Sequence, residues 1–162
     1  MKARIDFTRI DPQVTQPLFA LQGVIDKSGL DEKMLHLVKV RASQINGCAH
    51  CIDMHTKDAR ADGETEQRLY GLSAWRETPY YSARERAALE WAEAITLVSS
   101  THVPDEAYEP VRAQFSENEI ANLTLAIAMI NTWNRLAISL RFVPGNYQPG
   151  IYRTARQAHA SG

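Results

Sequence analysis

Asn46-Gly47-Cys48-Ala49-His50-Cys51-Ile52-Asp53-Met54-His55 contains both cysteines of the chain, three residues apart, with a histidine four residues after the second. Read as a helix that starts near Gly47, with about 100° of turn per residue, the run puts Cys48, Cys51 and His55 on one face and turns His50 away. Positions i and i+3 of a helix are close enough at Cα for a disulfide to bridge them. Cys48 lies at the helix start, where free amides and the dipole favour a thiolate, and His55 is within one turn of Cys51 as a potential base. Two thiols and a base on one patch are what reversible thiol–disulfide chemistry requires. A thiolate opens a peroxide O–O bond and becomes a sulfenic acid, which a neighbouring thiol converts to a disulfide.

The segments flanking this run also read as helices. On the N-terminal side, residues 31–45 carry Met34, Leu35, Leu37, Val38 and Val40, and residues 12–27 space Val14, Leu18, Leu21, Val24 and Ile25 for one helical face. On the C-terminal side, the cysteine helix closes at Asp62-Gly63. A short helix over 64–72 leads into an irregular stretch at 75–81. Ser82 with Glu85, and Ser116 with Glu119, have the spacing of capping boxes. They predict helices reaching about Val98 and about Phe142, with another opened by Pro104 and ending near Phe115. The last helix is apolar almost all round, so it belongs in the core or against another subunit. Asn122, Asn131, Asn134 and Arg135 interrupt it too often for a membrane span. Residues 143–162, with Pro144, Gly145, Pro149 and Gly150, read as an extended tail draped over the surface or a neighbour. No strand pattern appears, and the expected fold is all-α, with six or seven helices in one domain spanning 1–162.

Composition narrows the function. The chain has 162 residues, 44% hydrophobic and 23% charged, with 18 basic and 19 acidic residues mixed along it. That balance offers no basic block or acidic tail for nucleic acid or a membrane surface. Met1-Lys2-Ala3-Arg4-Ile5-Asp6 lacks the apolar core of a secretion signal, which makes a cytoplasmic location the default. There a structural disulfide would be unusual and a transient catalytic one expected. A lone Cys-x-x-Cys also occurs in thioredoxin-like domains, which need a βαβ context this chain lacks. The rival is zinc, held by Cys48, Cys51 and His55 with His36 or a water as fourth ligand. General thiol–disulfide exchange through the same pair is a further alternative.

The stretch Val40-Arg41-Ala42-Ser43-Gln44-Ile45-Asn46-Gly47-Cys48-Ala49-His50-Cys51, continued by Met54-His55-Thr56-Lys57-Asp58-Ala59-Arg60, resembles the core of alkylhydroperoxidase D-like proteins of the carboxymuconolactone decarboxylase-like superfamily. The resemblance extends through residues 85–92 and 130–137. It implies an all-helical fold, a homo-oligomer (trimer or hexamer) and reduction of hydroperoxides by the cysteine pair. An external dithiol or thiol protein would be the reductant, and no metal or organic cofactor would be needed. By position, Cys51 would be the peroxidatic cysteine, Cys48 its resolving partner and proton donor, and His55 part of a proton relay. His50 would occupy a position that matters in the family. The family usually places a glutamate where this chain has His36, and an imidazole cannot supply the negative charge that would raise the basicity of His55. Either His36 takes over the role, or another acid such as Glu90 does, or activity is weak. His36 also reads as an ordinary, partly buried polar residue. Trp91 and Trp133 read as packing residues, His102 and His159 as solvated. Asp53 and Asp58 read as solvent-facing charges off the cysteine face. Asn131 and Asn134 need hydrogen-bond partners if buried.

Overall fold

The computed structural model describes residues 2–151, and among these it contains eight α-helices and no strand. They are α1 (Pro12–Asp26), α2 (Glu32–Asn46), α3 (Ala49–Ala61), α4 (Glu66–Gly71), α5 (Ala83–Thr96), α6 (Val98–Thr101), α7 (Asp105–Gln114) and α8 (Glu117–Leu140). The all-α expectation holds. The excess over six or seven is the single turn α6, too short to leave a periodic signal. Two 3₁₀ turns, Phe7–Arg9 and Leu72–Glu77, occupy stretches without a helical period. Residues 152–162, with His159, lie outside the described residues, so the tail expectation concerns 143–151 alone.

Side-chain caps set the ends of the long helices. Asp31 Oδ1 accepts the Met34 N–H at 2.7 Å to start α2. Both expected capping boxes form: Glu85 N–H donates to Ser82 Oγ and Ser82 N–H to Glu85, and Ser116 and Glu119 repeat the pattern for α8. Each such cap stabilises its helix by about 1 kcal/mol.

The α2–α3 turn positions the cysteines. Gly47 ends α2 at φ +69°, a left-handed conformation costly for any residue with a Cβ. The Cys48 N–H then donates back to Ser43 C=O at 2.9 Å, so the chain reverses and α3 begins on Cys48.

Helix α2 packs against α3, α5 and α8 and shares three apolar clusters with them. Its Met34, Leu35 and Val38 join Ala88, Trp91 and Ala92 of α5, Val111 of α7, and Leu123 and Ile127 of α8 in the largest cluster. Leu37 and Val40 face Ala59, Leu69, Leu72, Trp75 and Leu89 in a second. Ala42 belongs to the third, which holds the cysteines. A helix apolar on several faces is a buried helix, and α2 and α8 both fit that description. No helix among the described residues is long and apolar enough to cross a membrane.

Candidate active site

Cys48 is the N-cap residue of α3 and Cys51 lies in its first turn. Both are free thiols, 1% exposed, with their sulfurs 2.8 Å apart. Ala42 of α2 and Ile130 and Ala137 of α8 wall the pair, and Trp133 and Phe142 pack over it. The surroundings divide the charge unequally. Cys48 is drawn down to about 7, first by the Cys51 S–H, then by the Cys51 backbone N–H, the Asn134 side chain and the His50 backbone N–H. Together these outweigh burial, which pushes the other way. Cys51 is pushed well above the usual thiol range, because it holds the shared proton against the Cys48 sulfur and is itself buried. When the reduced pair ionises, the negative charge therefore falls on Cys48, at the amide-rich end of the helix.

Along α3, the buried residues are Cys51, His55, Asp58 and Ala59. His55 is thus on the cysteine face, as expected. Asp58 corrects the sequence reading: it is 7% exposed, on the same stripe as Cys51 and His55 at i, i+4 and i+7. The Tyr147 hydroxyl donates to its Oδ1 at 2.7 Å, satisfying a carboxylate that would otherwise be buried without a partner.

His36 is buried too, and its Nε2 lies 2.7 Å from Asp62 Oδ2 at the C-cap of α3. Burial holds its pKa below the usual histidine value, against the opposing pull of Asp62 and, more weakly, Asp58. Asp62 stands eleven residues beyond Cys51, about 16 Å along the helix at 1.5 Å per residue. His36 therefore sits at the other end of α3 from the thiols, with Asp58 between. Glu90, the other acid considered, is paired with Arg76.

His50 is half-buried. Its ring packs edge-on against Phe142 with centroids 5.4 Å apart, and its Nδ1 lies 3.3 Å from Val143 C=O. It helps to hold a strap, residues 142–147, that runs across α3. The Gly145 N–H donates to Asp53 Oδ2 at 2.9 Å, and Lys57 Nζ donates to the carbonyls of Gly145 and Tyr147. Asp53, half-buried, anchors the strap and is no free surface charge. The N-terminal segment braces the same region. Arg4 N–H donates to Leu140 C=O, and the Phe7 ring lies 5.0 Å from Phe142 and 6.0 Å from Trp133. Trp91 is a core residue whose Nε1 donates to Thr124 Oγ1 at 2.9 Å. His102 is exposed, as read from sequence.

The zinc reading finds no support in this geometry. Among the described residues, the group of three or more His, Cys, Asp and Glu donor atoms that all lie within 4.8 Å of one another is Glu32, His36 and Asp62. Cys48, Cys51 and His55 do not form such a group. In the group that does form, Glu32 is exposed and the His36 imidazole is engaged by Asp62.

Known proteins extend this picture. An uncharacterized protein of Bacillus subtilis (strain 168), YdfG, is 45% identical over 140 residues, covering 86% of this chain and 95% of its own. A crystal structure of a protein of unknown function from Agrobacterium tumefaciens, described as a candidate antioxidant defence protein AhpD, superposes with a TM-score of 0.87 at 44% identity. That match covers 90% of this chain and 100% of the other. The debrominase Bmp8 shares the fold at a TM-score of 0.72 and 17% identity, over 90% of this chain and 76% of its own, so the architecture also serves a different activity. The model of the carboxymuconolactone decarboxylase family matches residues 12–94, which carry α1, α2 and the whole cysteine helix. With that match and a 45%-identical relative along nearly its full length, the chain belongs to the carboxymuconolactone decarboxylase family.

Proposed function

We propose that this chain is a thiol-dependent hydroperoxidase that cycles Cys48 and Cys51 between dithiol and disulfide. The observation that carries the reading is the buried pair itself: two free sulfurs 2.8 Å apart, with the charge biased onto Cys48. The thiolate attacks one peroxide oxygen, the O–O bond breaks, and the alkoxide leaves as ROH after taking a proton. The other thiol attacks the resulting sulfenic sulfur, an S–S bond forms, and hydroxide leaves as water with that thiol's proton. The sum is ROOH plus two thiols to ROH, water and a disulfide. An external dithiol restores the pair by exchange.

His55, one turn beyond Cys51, is the group to move the proton that Cys51 holds. Asp58, one turn further on the same stripe, supplies the negative charge that position 36 does not. The family resemblance implies Cys51 as first nucleophile, whereas the electrostatics favour Cys48 as the resting thiolate. At 1% exposure the sulfurs suit a small hydroperoxide better than a protein disulfide, and Phe142, at the start of the strap, is part of what covers them. A homo-oligomeric assembly is part of the same reading.

The test is turnover of an organic hydroperoxide with a dithiol reductant. Cys48→Ser and Cys51→Ser each abolish it, and a sulfenic-acid trap labels Cys48 in the Cys51→Ser variant. Full rates in both variants would refute the proposal. A label found only on Cys51, in Cys48→Ser, would reverse the order and keep the pair.

A further inference from the structure

Asn134 lies in the middle of α8 with no exposed surface. Ile130 and Ala137 of the same helix pack against Cys48 and Cys51, and Asn134 falls between them on that stripe, at i, i+4 and i+7. The network behind it fixes which end of its amide faces the sulfurs.

That network is anchored by four groups of unambiguous polarity, one guanidinium and three backbone carbonyls. A guanidinium can only donate, and Arg135 Nη1 donates to Asn131 Oδ1 at 3.0 Å and to the Asn131 carbonyl at 2.9 Å. A backbone carbonyl can only accept, and Ile127 C=O takes the Asn131 Nδ2–H at 2.9 Å. The Asn131 amide thus has a single possible orientation. Asn46, 2.9 Å from Asn131 Oδ1, must present its Nδ2 there, and the same Nδ2 donates to Asn134 Oδ1 at 2.8 Å. The oxygen of Asn134 is thereby turned toward Asn46 and its Nδ2 toward Ser43 Oγ, 3.0 Å away. Ser43 gives its only hydroxyl proton to Lys39 C=O at 2.7 Å, so its oxygen is free to accept. One Nδ2 hydrogen of Asn134 is left over by this network, on a stripe whose neighbours Ile130 and Ala137 pack against the cysteines.

We infer that Asn134 is a further functional residue of the thiol site, its remaining amide hydrogen held on the sulfurs in a direction fixed, through Asn46 and Asn131, by Arg135. The inference rests on the proposed function only in taking the sulfur as the reacting atom. A neutral donor of this kind stabilises a thiolate without placing a full positive charge beside it. The electrostatics agree, since Asn134 favours the ionised form of both cysteines.

The experiment needs no peroxide. The side-chain amide of Asn134 in reduced wild-type protein is followed by ¹⁵N–¹H NMR from acidic to alkaline pH, beside the thiolate absorbance at 240 nm. One of the two Nδ2 protons is expected to move with the thiol midpoint near 7, the other to stay, and the movement to vanish in Cys48→Ser. Asn134→Leu, similar in volume and without a donor, is expected to raise the midpoint by about one unit, a ten-fold loss of thiolate below it. Amide protons that stay flat through the thiol transition would overturn the inference. So would an unchanged midpoint in a folded Asn134→Leu protein. Should that variant fail to fold, the wild-type titration decides alone. A flat amide in an active peroxidase removes Asn134 and leaves the function. A responsive amide in a protein inert to peroxide does the reverse.

Discussion

Removing the Cys51 side chain while sparing its backbone separates the sources of the Cys48 thiolate. The largest of them is the Cys51 side chain, whose sulfur lies 2.8 Å from that of Cys48 and holds the one proton left between them once Cys48 has ionised. Holding Cys48 at about 7 instead of 9.0 raises its thiolate fraction at pH 7 from about 1% to about half. A hydrogen bond to a charged group contributes about 1.5–3 kcal/mol, or about one to two pKa units. Cys51→Ala deletes that donor and leaves the backbone amides and Asn134, so the Cys48 midpoint is expected to rise by about one to two units. Cys51→Ser keeps an O–H in the same place and is expected to stay within about half a unit of the wild-type midpoint. The assay is absorbance at 240 nm against pH on each reduced variant, which reads thiolate whatever the access to solvent. The sign is fixed: losing a donor to the ionised form moves the midpoint up. If the Ala and Ser variants titrate together, the Cys51 proton is not what holds the charge on Cys48, and the reasoning fails.

Two other expectations follow from the surroundings of the pair. Tyr147→Phe removes the strap's bond to buried Asp58, and with the Lys57 and Gly145 contacts left in place it is expected to speed reaction with a bulky aromatic disulfide by up to about ten-fold, at an unchanged thiol midpoint; an unaltered rate would show that the strap does not limit access. His36→Glu puts a second carboxylate against Asp62 where the imidazole sits at 2.7 Å, and is expected to cost about 1–3 kcal/mol in urea unfolding at pH 8 and less at pH 5, where one of the two carboxyls binds a proton; equal loss at both pH values would contradict the pairing.

What the sequence carried, and what it did not, follows the range of the interactions. Capping boxes, the Gly47 reversal and the cysteine helix depend on neighbours within a turn or two, and each is in place where its residues predict it. Asp58 shows the limit. The helical arithmetic that joins Cys51 to His55 also joins both to position 58, but a carboxylate there reads as a surface charge until a partner is known. That partner, Tyr147, is 89 residues away in a segment with no periodicity. Asn134 is a similar case. An amide on an apolar helix announces that it needs partners, yet Asn46 and Ser43 come from α2, 88 and 91 residues distant. The glutamate missing at position 36 was visible as an absence, and the acids Asp58 and Asp62 that flank His36 became visible only with α2 laid against α3.

The central claim is that Cys48 and Cys51 form one peroxide-responsive redox centre, and its most direct test is a single turnover. Reduced, metal-free protein is mixed with one equivalent of an organic hydroperoxide, free thiols are counted and the intact mass is recorded. The account predicts loss of both thiols, a mass lower by two hydrogens, a peptide joining Cys48 to Cys51, and full reversal by a dithiol. Two thiols still free, and the mass unchanged after minutes of exposure, would contradict it.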